Sequence, residues 1–188
     1  MAIPQELTMP NFSGTYVINK QISDDLDPLF VLQGLSWFVR RTIGFATVTT
    51  RINHYSKDGV AHLDLTSSAL GLPKTFDNRV LDFELRFRQD RIFGNMKIKS
   101  RVINIAAYEM IIEGGTEKDA EFLMSSFVDE SAIQAYGEGA ERYKWRIEQS
   151  WGIEEVGGER RVTQRMVARK GDEVLRLRIV YDYLGPAE

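Results

Sequence analysis

Residues 12–44, FSGTYVINKQISDDLDPLFVLQGLSWFVRRTIG, decide the fold. Asn11, Ser13 and Gly14 are turn formers, and Ser13 to Lys20 then runs through Tyr16, Val17 and Ile18 as a strand does. A helix start follows. Ser23 suits an N-cap, Asp24 and Asp25 complement the positive end of a helix dipole, and Pro28 is tolerated only in a first turn. Leu29, Leu32 and Gln33 share a face before Gly34 lets the chain turn. A second helical run of Leu35, Trp37, Phe38, Val39 and Ile43 carries Arg40 and Arg41 near its negative end and stops at Gly44. From Phe45 to Tyr55 the composition is that of a strand again, so a helix pair at about residues 23–43 is inserted between the first two strands. A strand, two short helices and more strands is how a ligand-holding barrel with a helical lid begins.

Outward from that segment the chain reads as antiparallel strands. Ala46–Tyr55 and Val60–Ser67 flank the hairpin turn Asp58-Gly59. Val80–Arg88 alternates strictly, which predicts a strand with Leu81, Phe83, Leu85 and Phe87 buried and Asp82, Glu84, Arg86 and Arg88 wet. After Gln89-Asp90, a strand carries Ile92, Met96, Ile98 and Val102. Between 106 and 130 the pattern breaks at Gly114-Gly115, and Thr116–Ser125 fits a short helix capped by Thr116 or a further strand, the helix being preferred. Tyr143, Trp145, Ile147, Gln149, Trp151 and Ile153 then form one face, opposite Lys144, Arg146, Glu148 and Glu154. Gly157-Gly158 turns into an inward set of Val162, Gln164, Met166 and Ala168. Beyond Lys170-Gly171-Asp172, Leu175, Leu177, Ile179, Tyr181 and Tyr183 complete the last strand. The expected fold class is therefore all-β: a closed antiparallel barrel of about eight to ten strands, since closure removes exposed edges and leaves room for a small ligand. One domain is expected over residues 1–188, with 1–11 as an N-terminal extension.

Composition excludes several classes of function. A net charge of -3, with Lys and Arg spread along the chain, gives no electrostatic reason to expect nucleic acid. Cysteine is absent, which removes disulfides, thiol catalysis and thiolate metal sites. MAIPQELTMPNF has no apolar signal-peptide core and no apolar run approaches about 18 residues, so no membrane span is expected and the cytoplasm is the expected location. No signature of phosphate binding, zinc hydrolysis or a serine nucleophile occurs, so any activity must come from an enclosed pocket. No cofactor is expected, and a homodimer is compatible with the composition.

Phe12-Ser13-Gly14-Thr15-Tyr16, the acidic Asp24-Asp25 helix start, the Gly34 break and Arg40-Arg41 ahead of Gly44 resemble the N-terminal third of the intracellular fatty-acid-binding proteins, members of the calycin group with the lipocalins. Gln149-Ser150-Trp151-Gly152 resembles the Q-x-W-x segment of a late barrel strand in that group, and Val180-Tyr181-Asp182 its final strand. The chain is similar as a whole to small fungal lipocalin-like proteins, some of which accompany secondary-metabolite pathways. One position departs from the fatty-acid-binding pattern. Its Arg-x-Tyr carboxylate clamp on the last strand would need an arginine at 179, where this chain has Ile179, and Arg178 falls on the opposite face by strand parity.

Within the barrel the inward faces carry polar groups that a dry core would not select. Gln149, Gln164 and Tyr181 are the candidate catalytic residues; the two amides either satisfy each other and water or contact a ligand. Trp37, Phe38, Phe83, Phe87, Met96, Tyr143, Trp145, Trp151, Met166 and Ile179 are the candidate ligand-binding residues, with Trp37 and Phe38 facing the barrel as part of the lid. His54 and His62 flank the Asp58-Gly59 turn but lack an evident third ligand, so no metal is expected. The expected partner is a hydrophobic small molecule: a polyketide, terpenoid or lipid. Three functions compete: a cofactor-free cyclase or isomerase of the Diels-Alderase type, a carrier of the fatty-acid-binding kind, and an interaction module without a cavity.

Overall fold

Asp58 and Gly59 both take positive φ, 53° and 79°, as a tight two-residue hairpin requires, and join the strands Thr49–Lys57 and Val60–Ser68. In the computed structural model, which describes residues 1–70, 73–140 and 143–187, this hairpin belongs to a ten-stranded antiparallel sheet curled into a nearly closed barrel. Chain order begins β1 (Gly14–Ile18), α1 (Asp27–Leu32), α2 (Trp37–Phe45), β2 (Thr49–Lys57), β3 (Val60–Ser68), β4 (Thr75–Val80), β5 (Arg86–Asp90) and β6 (Gly94–Asn104). A 3-10 turn, Ile105–Ala107, leads to α3 (Glu117–Met124), then β7 (Ser131–Gly139), β8 (Arg146–Val156), β9 (Glu159–Lys170) and β10 (Glu173–Gly185). The strand order is β4-β3-β2-β1-β10-β9-β8-β7-β6-β5, so β1 joins the two halves through β10 and the ring stays unpaired between β4 and β5.

The ends of the barrel are closed by different devices. At one end Ile3, Met9 and Phe12 are buried, Ile3 N–H donates to the Arg160 carbonyl (2.9 Å), and the Arg160 guanidinium donates to the carbonyls of Pro4, Gln5 and Leu7 (3.1–3.3 Å). At the other end of β9, Lys170 Nζ donates to the Leu32 carbonyl at the foot of α1 (3.0 Å). Ten residues of strand at about 3.3 Å each set these closures roughly 30 Å apart. The helix pair caps the far end, with Leu29, Phe30 and Leu32 of α1 buried and Arg40 of α2 paired with Asp27 of α1.

Several expectations are corrected. Ser23 is not an N-cap: α1 begins after Leu26 without a side-chain cap, while Ser23 Oγ accepts the Val180 N–H (2.9 Å) and Asp24 accepts the Arg178 N–H (2.7 Å). The chain after β1 thus stays bonded to β10 before it turns into the helix. Gly44 does not end α2, which runs to Phe45, because one glycine in a last turn costs too little to stop a helix. The Val80–Arg88 strand does not exist as such. Asp82 accepts the Glu84 N–H (3.0 Å) and the Arg86 guanidinium, and Phe83 takes φ 66°, so a local turn interrupts the alternation and separates β4 from β5.

A second correction concerns Glu148 and Glu154, expected to be wet and in fact 0 % and 1 % exposed. Residues 105–128 cross the outer face of β7, β8 and β9 and bury it. α3, capped by the Thr116 and Asp119 capping box, lies in this layer, and the Phe127 ring sits so close to Gly152 that a Cβ there would fall 2.3 Å from it. The acidic groups buried beneath this layer have partners. Glu148 accepts from Tyr108 Oη (2.8 Å), Gln134 Nε2 (2.7 Å) and the Ile111 and Ile112 N–H groups (2.8 and 2.7 Å). Glu154 accepts from Arg165 Nε (2.6 Å) and Thr163 Oγ1 (2.8 Å), and Asp119 pairs with Arg169 and Arg176 (2.6 Å each). One half of the barrel is therefore double-layered, whereas the outer faces of β2 to β5 are single.

Candidate functional site

Beneath the helices lies a cavity of about 310 Å³. Leu29 and Phe30 of α1, with Leu26 and Gln33 at its two ends, roof it together with Ile43 of α2; Trp151, Met166 and Ile179 form apolar wall on β8–β10, and Met96, Ile98 and Trp145 continue it on the β6–β8 side. This volume is at the lower end for a small-molecule site.

Three candidate residues form a hydrogen-bonded chain on that wall. Gln164 pairs in register with Ile179 on β10 and Trp151 on β8, so Tyr181 and Gln149, each two residues further along, are its diagonal neighbours on the same face. Tyr181 Oη donates to Gln164 Oε1 (2.9 Å), and Gln164 Nε2 donates to Gln149 Oε1 (2.9 Å). The Trp151 ring stacks on Tyr181 with centroids 5.4 Å apart, which fixes the phenol. Burial raises the Tyr181 pKa above its ordinary value, partly opposed by the charge of Arg79, so the phenol stays a neutral donor. The chain ends at the Gln149 Nε2 amide, which donates to no protein group among the described residues. The indole Nε1 atoms of Trp145 and Trp151 and the Gln33 Oε1 are buried without partners among the described residues, the Trp145 nitrogen lying against Gly139. Such orphan groups are few in folded proteins, and with no surface open to the cavity these three are closed to a ligand as they stand.

On the opposite side four charges face inward. β4 pairs Asp77 and Arg79 with Leu65 and Leu63, and β5 pairs Arg88 with Met96, which sets these side chains toward the interior. Asp77 accepts from Arg79 Nε (2.9 Å) and Nη2 (2.6 Å) and contacts Arg88 Nη1 (2.6 Å); Arg88 Nη2 lies 3.4 Å from Asp90. Burial would raise the Asp77 pKa, but the two guanidinium groups outweigh it and hold the carboxyl below its usual range.

Of the residues singled out from sequence, Gln149, Gln164, Tyr181, Met96, Trp145, Trp151, Met166 and Ile179 stand on the cavity wall. Trp37 and Phe38 do not, being 66 % and 74 % exposed: Arg40 and Ile43 take the inner face of α2, and Trp37 instead shares the outer face with Arg41 and Phe45. Phe83 lies off the cavity, its ring 4.1 Å from both Lys99 Nζ and the Arg101 guanidinium carbon. Phe87 is 69 % exposed because the turn at Asp82 inverts the expected parity and turns Arg88 inward. Tyr143 packs against the core between Gly34 and Gly94, joining the helix turn to the β5–β6 turn, and is not part of the wall. The histidines are on opposite faces: His54 pairs with the buried Leu63, whereas His62 pairs with Tyr55 and stacks on its ring at 5.1 Å. Asp77, Arg79, Arg88 and Asp90 were not anticipated as inward groups. The signal for them was opposite charges two residues apart in two neighbouring strands, Asp77 with Arg79 and Arg88 with Asp90.

No protein-family model matches the chain. Two fungal proteins are similar to it over nearly their whole length: the probable pericyclase scpY of Mollisia scopiformis is 26 % identical over 194 residues, covering 98 % of this chain and 96 % of its own. The pericyclase pydY of an Acremonium species is 27 % identical over 192 residues, covering 99 % and 98 %. Among solved structures, the Schistosoma mansoni fatty acid binding protein in complex with arachidonic acid superposes with a TM-score of 0.56 at 14 % identity, covering 95 % of this chain and 99 % of its own. The chain accordingly has the fold of the fatty-acid-binding proteins, while its full-length sequence similarity is to fungal pericyclases.

Proposed function

We propose that the barrel encloses a hydrophobic small molecule, of polyketide, terpenoid or lipid character, and folds it into the reactive conformer of a pericyclic, Diels-Alderase-type cyclisation in fungal secondary metabolism. The observation that carries this reading is the full-length similarity to two proteins named as pericyclases. A pericyclic ring closure rearranges electrons already in the substrate, so it needs neither an acid-base pair nor a cofactor. What it needs is shape and a few oriented donors. Holding a flexible chain in a near-attack conformer supplies several kcal/mol, up to roughly 7–11 in the best cases. The Gln149 amide, oriented by Gln164 and Tyr181, then donates to a substrate carbonyl oxygen as electron density shifts onto it.

A carrier role is the second reading, favoured by the fold shared with a protein solved around arachidonic acid. The test is incubation of the purified protein with the linear precursor extracted from a producing strain that lacks it. Cyclase action yields a product of unchanged mass, new retention time and single handedness, with turnover. Stoichiometric uptake and recovery of the precursor unchanged would establish the carrier instead.

A further inference from the structure

The gap between β4 and β5 is the one break in the backbone ladder of the barrel among the described residues, and it is spanned by side chains. Arg88 bridges it by pairing with Asp77 and donating from Nη2 to the Phe76 carbonyl (2.8 Å). A second cleft, of about 220 Å³, lies on the outer side of this gap between the exposed rings of Phe76 and Phe87. Arg79, Arg88, Ile98 and Ser100 border both the cleft and the inner cavity, so the arginines form a partition between the two spaces. They are also the only cations on the described wall of the inner cavity. Apolar side chains of similar volume would hold two strand edges together at least as well as buried ion pairs, so stability alone does not account for them.

Arg79 is the better placed of the two to meet a ligand. Its Nε and Nη2 are both committed to Asp77, which fixes the plane of the guanidinium, while Nη1 has no hydrogen-bond partner among the described residues and is not buried. Tyr181, on the opposite wall, is near enough for the Arg79 charge to oppose the rise in pKa that burial causes there. We propose that Arg79 is a ligand-positioning residue: its free Nη1 donates to a carbonyl or carboxylate oxygen at one end of the bound molecule and anchors that end at the β4–β5 gap. Asp77 and Arg88 hold the guanidinium in place, and the apolar remainder extends toward Trp151 and the Gln149 amide. This replaces, on the other side of the barrel, the clamp that Ile179 rules out on the last strand.

Since the assignment rests on the barrel enclosing its ligand, the experiment measures both. Three fluorescent probes are titrated into the wild type, Arg79→Gln and the double variant Asp77→Asn/Arg79→Met, which removes both charges and leaves no unpaired carboxylate. The probes are cis-parinaric acid, its methyl ester, and diphenylhexatriene, which has no oxygen. The expected result is that both variants weaken the acid, the ester or both by about tenfold or more, equivalent to 1.4 kcal/mol, with diphenylhexatriene unchanged. Loss confined to the acid identifies an anionic head, and loss of both a carbonyl. Equal weakening of all three probes, or of none, overturns the role of Arg79 while leaving enclosure intact. Failure of the wild type to bind any probe overturns enclosure, and the role of Arg79 with it.

Discussion

Replacing Gln164 by Leu removes the middle of a three-member chain, so two hydrogen bonds go at once and both the Tyr181 hydroxyl and the Gln149 carbonyl oxygen are left facing an alkyl group. Gln149→Leu removes one bond and strands only Gln164 Nε2. The volume change is small in both, which leaves polar satisfaction as the main difference. A buried polar group without a partner costs about 1–3 kcal/mol, so Gln164→Leu should lose roughly 2–6 kcal/mol and Gln149→Leu roughly 1–3. Gln149 is half-buried against the cavity, which places it at the low end. In a domain of this size about 1 kcal/mol moves Tm by 2–4 °C, so the variants, differing by about 1–3 kcal/mol, should melt roughly 2–12 °C apart, Gln164→Leu lower. Thermal and urea unfolding, followed by tryptophan fluorescence, measure the difference. Equal losses, or a larger loss for Gln149→Leu, would refute the chain as described.

Cyclisation should respond in the opposite order of cleanliness: Gln149→Leu is expected to fold nearly normally yet lose about tenfold or more in turnover, checked by product formation from the linear precursor. Phe30→Ala, which opens the roof of the cavity beside Phe93, should accelerate probe release in stopped-flow dissociation, whereas Trp37→Ala should leave it unchanged because Trp37 faces solvent. Arg165→Met takes from the buried Glu154 its shortest ionic partner, leaving Thr163 Oγ1 and the Arg178 guanidinium at 3.5 Å, and should cost about 1.5–3 kcal/mol in urea unfolding. Burial would raise the Asp119 pKa, but hydrogen bonds from Arg169 and Thr116 and the charge of Arg176 bring it from 3.8 to about 2. Its depressed folded value contributes stability above the unfolded pKa, lost as pH falls from 3.8 toward about 2; Arg169→Met should flatten that acid limb of Tm against pH.

β8 to β10 were legible because two independent signals agree there: strict alternation, and turn residues such as Lys170-Gly171-Asp172 at the strand ends. Periodicity in Val80–Arg88 was as strict and still misled. Alternation says which residues share a face but not which face is inside, and Asp82 turns the chain between the two assignments. The outer layer was hidden for another reason. Glu148 and Glu154 sit at positions that look wet in any isolated strand, and only the docking of residues 105–128, decided by tertiary packing, buries them. Trp37 and Phe38 show a similar limit: an apolar face on a nine-residue helix does not reveal that Ile43 faces the cavity and Arg40 faces Asp27 of α1.

The unequal thickness of the barrel wall tells a protein engineer where its specificity can be rewritten. On β7 to β9 the inner side chains stand back to back with a buried layer that includes the bonded groups Gln134, Glu148, Glu154 and Arg165, so a change of size inside is transmitted to a layer that cannot adapt cheaply. Across the cavity, Leu65, Ser67 and Thr75 belong to strands whose other side is water. Libraries aimed at accepting a longer or bulkier ligand belong on that thin wall, where a displaced backbone moves into solvent and the Gln149 and Gln164 amides keep their geometry.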